Sequence, residues 1–78
     1  MNIEEEVRKI VAEELGADLE SVTADTAAGS AKGWDSVKTV MILSAVQERL
    51  GVQFPDEDLF DLVSVAAIAA EVAKVTGA

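Results

Sequence analysis

Three stretches of this chain carry apolar residues at helical spacing, each closes on a glycine, and nowhere do apolar and polar residues alternate at a period of two. In the first, Ile3, Val7, Ile10, Val11 and Leu15 form one stripe, Glu4, Glu5, Glu6 and Glu13 fill the opposite face, and Gly16 follows. In the second, Val37, Val40, Met41, Leu43, Val46 and Leu50 keep helical register up to Gly51. In the third, Val65, Ile68, Val72 and Val75 are expected to face inward, with Ser64 as N-cap and Gly77 as stop. The pattern restricts the chain to an all-α fold.

The connections add one short element. After Gly51, the segment "VQFPDEDLF" sends Phe54 into the core and breaks the chain at Pro55; Asp56 is expected to cap a short turn through Leu59 and Phe60. From Gly16 to Gly33 the chain is small and polar, with Leu19 and Val22 as its large apolar residues, expected to pin the loop to the core. Loops beyond about 12–15 residues are uncommon in small domains and are often functional. This one ends at Asp35, a good N-cap, which makes Ser36 the first residue of the second helix, exposed at its mouth. The expected architecture is a four-helix bundle: three main helices, a short third helix and a long first loop, in a single domain over residues 1–78.

Size and charge narrow what such a bundle does. Seventy-eight residues lie near the lower limit for a fold held by its core alone, and an apolar half of the chain supplies that core. Without cysteine there are no disulfides and no thiolate metal sites, and the default compartment is the cytoplasm. The acidic start "MNIEEEVRKI" is unlike a signal peptide, and is expected to begin a free-standing protein. No apolar run approaches the roughly 20 residues that span a bilayer. Six basic against fifteen acidic residues, net −9, disfavour nucleic acid and anionic membranes and suit docking into basic patches on larger proteins. The plainer alternative is that the charge keeps a small domain soluble.

Enzymatic readings fail on missing parts. A serine nucleophile needs a base, usually histidine, and the chain has none. Lys38 is two residues from Ser36, a spacing that does not face it on a helix, and Ser30 and Lys32 share that fault. Asp56, Glu57, Asp58 and Asp61 cluster, but a bundle this small has little room for the cleft that paired carboxylates need. The same segment lacks the glycine and closing glutamate of a calcium loop, so no metal site is expected. No catalytic residue is expected either.

Ser36 remains as a substrate. A phosphate attached there would meet unpaired N–H groups and the positive end of the helix dipole, and another enzyme would have to attach it. The competing reading is an exposed serine without a role, and the residues alone leave the two level.

At this point "GWDSV" opening a helix, "GVQFPDEDLF" and a final "SVAAIAAEVAKV" resemble the acyl carrier protein family across essentially the whole chain. Asp35-Ser36-Val37 resembles the family's D-S-L attachment signature, with valine for leucine. The resemblance implies a carrier with 4′-phosphopantetheine on Ser36 and Asp35 as motif residue and helix cap; a monomer is the default oligomeric state. A phosphopantetheinyl transferase would attach the arm from coenzyme A, and its thiol would hold cargo as a thioester. Loading, condensing or transferring enzymes of fatty-acid, polyketide or other specialised biosynthesis would be the partners. The alternatives are an aminoacyl or peptidyl carrier, or an unmodified acidic helical interaction module.

Departures from the family bear on partners and cargo. Fatty-acid carriers usually have acids along the second helix; here Lys38, Met41 and Gln47 stand there, and the charge lies in helix one and the "PDED" segment. Val37, Lys38, Met41, Asp56 and Glu57 are the expected partner contacts, with Met41 either an exposed docking residue or a core residue. Ser44, if it faces the interior, points to short or polar cargo; otherwise it faces outward or bonds a carbonyl one turn back. The glycine-rich, histidine-containing lead of peptidyl carriers is missing. Trp34 packs near the attachment point or touches the arm or a partner, and "WDS" is common among carriers of specialised metabolism.

Overall fold

The structure is a computed structural model that describes residues 2–77. Three α-helices, α1 (Ile3–Leu15), α2 (Ser36–Leu50) and α3 (Val65–Thr76), are joined by 3₁₀ segments at Leu19–Ser21 and Asp56–Asp61. This is the expected all-α four-helix arrangement, its short third helix wound as 3₁₀. Among the described residues no strand forms; Ala27 and Ser64 make an isolated antiparallel bridge. None of the described helices is long and apolar enough to cross a membrane.

The helix ends follow from their caps. Asn2, Asp35 and Ser64 each accept a backbone N–H three residues on, covering one of the donors that a helix start leaves unpaired. Gly16 and Gly51 close α1 and α2 at φ +65°, a left-handed conformation that favours glycine.

Helix α1 packs on both α2 and α3, which approach each other far less closely. Val7, Ile10 and Val11 of α1 meet Ile42, Leu43 and Val46 of α2 and Val65, Ile68 and Val72 of α3 in one core. Val22, Trp34, Phe54 and Leu62 close it from the connections. Burying one such side chain contributes about 1.5–3 kcal/mol.

Four expectations change. Val37, Val40 and Met41 are exposed, at 68%, 65% and 45%, although they keep helical register with Leu43. Helix α2 carries two apolar stripes, and packing on α1 selects Thr39, Ile42, Leu43 and Val46, one position round the helix. Val22 pins the long loop as expected, but Leu19 sits in the 3₁₀ turn and stays exposed. Asp56 does not cap the short helix: Pro55 holds the cap position without a side-chain bond, and Asp56 is the first helical residue. Val75 lies in the last turn of α3, past the end of the buried stripe, and is exposed.

The long loop is ordered by hydrogen bonds as well as by Val22. Arg8 reaches from α1 to donate through Nε to Val22 O (2.7 Å) and through a terminal nitrogen to Leu19 O (3.2 Å). Ala28 N–H donates to Val63 O (2.8 Å), and Val65 N–H to Thr26 O (3.0 Å), tying the loop to the start of α3. A loop crossing the core must satisfy its peptide groups this way.

Candidate functional site

The mouth of α2 is built by two residues. Asp35 leaves the loop in extended conformation, and its Oδ1 accepts Lys38 N–H at 2.9 Å while its carbonyl accepts Thr39 N–H at 2.9 Å. The N–H groups of Ser36 and Val37 are then the first-turn donors with no partner one turn back. Ser36 projects from that turn, exposed, with Lys38 half-buried and Val37 exposed beside it. The expected cap and first helical residue are both in place.

Ser36 opens onto a groove of about 510 Å³. One wall is α2, through Ser36, Thr39, Val40, Leu43, Ser44 and Gln47. The other is the 3₁₀ segment and the residues after it, through Asp56, Leu59, Phe60 and Val63. Its surface is mainly apolar, and Phe60, 88% exposed, stands at its edge. Ser44 is exposed and lines this groove instead of facing the interior between helices. Gln47 is fully engaged, Oε1 accepting Phe54 N–H at 2.8 Å and Nε2 donating to Leu43 O at 3.1 Å.

Most of the exposed large apolar residues among those described flank Ser36 and its groove; Leu19 and Val75, on other elements, do not line it. Val37, Val40, Met41, Phe60 and Val63 belong to this side, so Met41 is a surface residue and not a core one. Of the remaining expected contacts, Asp56 lines the groove and Glu57 is exposed on the same 3₁₀ segment. Asp58 faces Lys74 of α3 at 3.9 Å. Ser30 and Lys32 are not brought to Ser36; they border a separate hollow of about 380 Å³ under the long loop.

Trp34 packs inward, 2% exposed, and its indole N–H donates to Thr39 Oγ1 at 2.8 Å. Thr39 is not evident as a site residue from the sequence, because a polar residue in an apolar helix reads as outward-facing. Its position four residues after the cap, on the stripe of Leu43 and Val46, was the available signal. Leu59 and Val63 were missed as groove walls because a 3₁₀ segment has no 3.6-residue period to detect.

The arrangement offers a hydroxyl with an apolar trough beside it and no base to activate it. Residues 5–72 match the family described as "Phosphopantetheine attachment site". Over 76 residues the chain is 40% identical to a protein from Akkermansia muciniphila named "Acyl carrier protein", covering 97% of this chain and 95% of that one.

Proposed function

This chain belongs to the acyl carrier protein family, non-catalytic carriers bearing covalent 4′-phosphopantetheine, and we propose that Ser36 is the residue that holds the arm. The observation that carries the assignment is the exposed Ser36 hydroxyl on the first turn of α2, at the mouth of the apolar groove. The site fits the group: a phosphodiester on Ser36 lies against the unpartnered Ser36 and Val37 N–H groups and the positive end of α2. When attached, the arm supplies a thiol for thioester chemistry to a chain that has no cysteine.

Ser36 Oγ would attack the coenzyme A phosphorus next to the pantetheine, forming the phosphodiester as the pyrophosphate bond breaks and 3′,5′-ADP leaves; the transferase would supply the base that takes the Ser36 proton, since the chain has no histidine. Asp35 acts through its cap on Lys38 N–H, holding the turn. Val40, Leu43, Leu59 and Val63 shelter the apolar part of an acyl cargo from water. Partner enzymes of biosynthesis meet the face formed by Val37, Lys38, Met41, Asp56 and Glu57. The chain acts as one carrier domain over residues 1–78, a monomer in the cytoplasm. Family membership sets aside the unmodified interaction module.

Intact mass after incubation with coenzyme A and a broad-specificity phosphopantetheinyl transferase tests the assignment. One phosphopantetheine increment is expected on the native chain and none on Ser36→Ala. An increment that persists on Ser36→Ala places the arm elsewhere.

A further inference from the structure

The residue before the Asp35-Ser36 pair is tied through each of its polar groups. Trp34 N–H donates to Ala31 O (3.1 Å), Trp34 O accepts Gly29 N–H (3.2 Å), and the indole N–H donates to Thr39 Oγ1 (2.8 Å). The Thr39 hydroxyl passes the chain on, donating to Asp35 O at 2.9 Å. That same oxygen accepts Thr39 N–H at 2.9 Å, so two donors hold it. A run of hydrogen bonds therefore leads from a buried indole through one hydroxyl to the carbonyl preceding Ser36.

Peptide planarity gives this run its consequence. Asp35 C=O and Ser36 N–H belong to one rigid unit, so fixing the carbonyl fixes the plane from which Ser36 Cα departs. Packing alone does not call for these residue types. A phenylalanine fills much of the space of a buried indole without an N–H to satisfy, and β-branched threonine is a weaker helix former than most. Both flank the turn that carries Ser36, Trp34 just before its cap and Thr39 one turn into α2.

We propose that Trp34 and Thr39 are positioning residues for the modification of Ser36, presenting its Oγ to the transferase in one geometry. The proposal rests on the reading of Ser36 as the attachment residue. Both side chains are at least nine-tenths buried, so they act on the reacting turn and not on docking. Their loss is read in kcat, not in KM.

The test uses the full chain in its unmodified form, with coenzyme A and a phosphopantetheinyl transferase, following rates by intact mass. Thr39→Val, which keeps the shape and removes the hydroxyl, is expected to lower kcat about tenfold with KM within about twofold, the scale of a small misplacement of a reacting group. Thr39→Ser restores the rate. Trp34→Phe also lowers kcat, and the double variant is no slower than the slower single one, because both act through one chain of bonds. The lone tryptophan gives one indole N–H resonance, whose hydrogen exchange is expected to quicken in Thr39→Val and not in Thr39→Ser. A native kcat in Thr39→Val, a loss that Thr39→Ser shares, or a rise in KM alone overturns the proposal. Should Thr39→Val not fold, Trp34→Phe decides, and a native kcat there overturns it. Ser36→Ala run in parallel separates the two readings: if it still accepts the group, the assignment of Ser36 fails whatever Thr39 does.

Discussion

Gln47 and Phe54 are joined across the turn that ends α2: the Gln47 side-chain oxygen accepts the Phe54 backbone N–H at 2.8 Å, seating the aromatic ring in the core. Gln47 also lines the groove, so one side chain supports both the bundle and its trough.

Gln47→Leu removes that acceptor and leaves a part-buried N–H without a partner, a loss of about 1–3 kcal/mol. Denaturant unfolding should show a lower midpoint, and Gln47→Glu, which keeps an acceptor, should recover part of it. Equal stability of Gln47→Leu and the native chain would mean that Phe54 is held by packing alone.

Arg8→Met keeps an apolar stem and takes away two donors from the loop carbonyls of Val22 and Leu19. The expected cost is about 1–3 kcal/mol, with amide exchange faster between Gly16 and Gly33 than in α3. Arg8→Lys should rescue only in part, because a single ammonium does not reproduce the guanidinium fork. Exchange that rises evenly over the molecule would count against a local role.

The apolar part of the face beside Ser36 predicts a share of partner binding that salt does not remove. Val37, Val40 and Met41 are its exposed residues on α2, and apolar contacts are not screened. Affinity for a transferase should fall as salt screens Lys38, Asp56 and Glu57 and then level off toward about 1 M, where the Debye length shrinks to about 3 Å. Val40→Asp, at an exposed position, should weaken binding without lowering the melting temperature. A fall that continues to about 1 M without levelling would leave recognition to Lys38, Asp56 and Glu57 alone.

Cargo in the groove should stabilise the fold. An acyl chain bound between α2 and the 3₁₀ segment favours the native state by mass action, so acyl-loaded protein should melt above the unloaded form. Val63→Asp places a charge on the groove wall and should abolish that difference while loading at Ser36 continues. A difference that survives Val63→Asp would put the cargo elsewhere.

Among the described residues, Glu71 on α3, at 8% exposure, is the one with a buried side-chain atom that lacks a hydrogen-bond partner, its Oε2. Replacing an unpaired buried polar group with an apolar one of similar size is neutral or stabilising, so Glu71→Met should raise stability by about 1 kcal/mol. A large loss in thermal unfolding would show that the carboxylate has a partner in solution.

The three main helices, the caps Asp35 and Ser64 and the stops Gly16 and Gly51 were legible in the sequence because each is a local event. Asp35, Ser64, Gly16 and Gly51 act on backbone within a few residues, and the structure leaves every one of them in its expected role. Which stripe of α2 faces inward was not legible, since Val37, Val40 and Met41 satisfy the same period as Thr39, Leu43 and Val46. That choice is made by α1, distant in sequence. The second wall of the groove was hidden for a related reason: Leu59, Phe60 and Val63 gain meaning only from where Pro55 and the 3₁₀ segment set them against α2. Ser36 could be placed at the helix mouth from Asp35 alone, whereas the Trp34–Thr39 bond needed three dimensions.

The trough beside Ser36 is open to solvent along one side, neither a sealed chamber nor a flat surface. A guest held there can be peeled away sideways by a competing apolar surface, with no door to unlatch and no helix to unwind. Residence then depends on how much greasy surface the guest covers, and the decision to let go passes to whichever enzyme offers the better shelter.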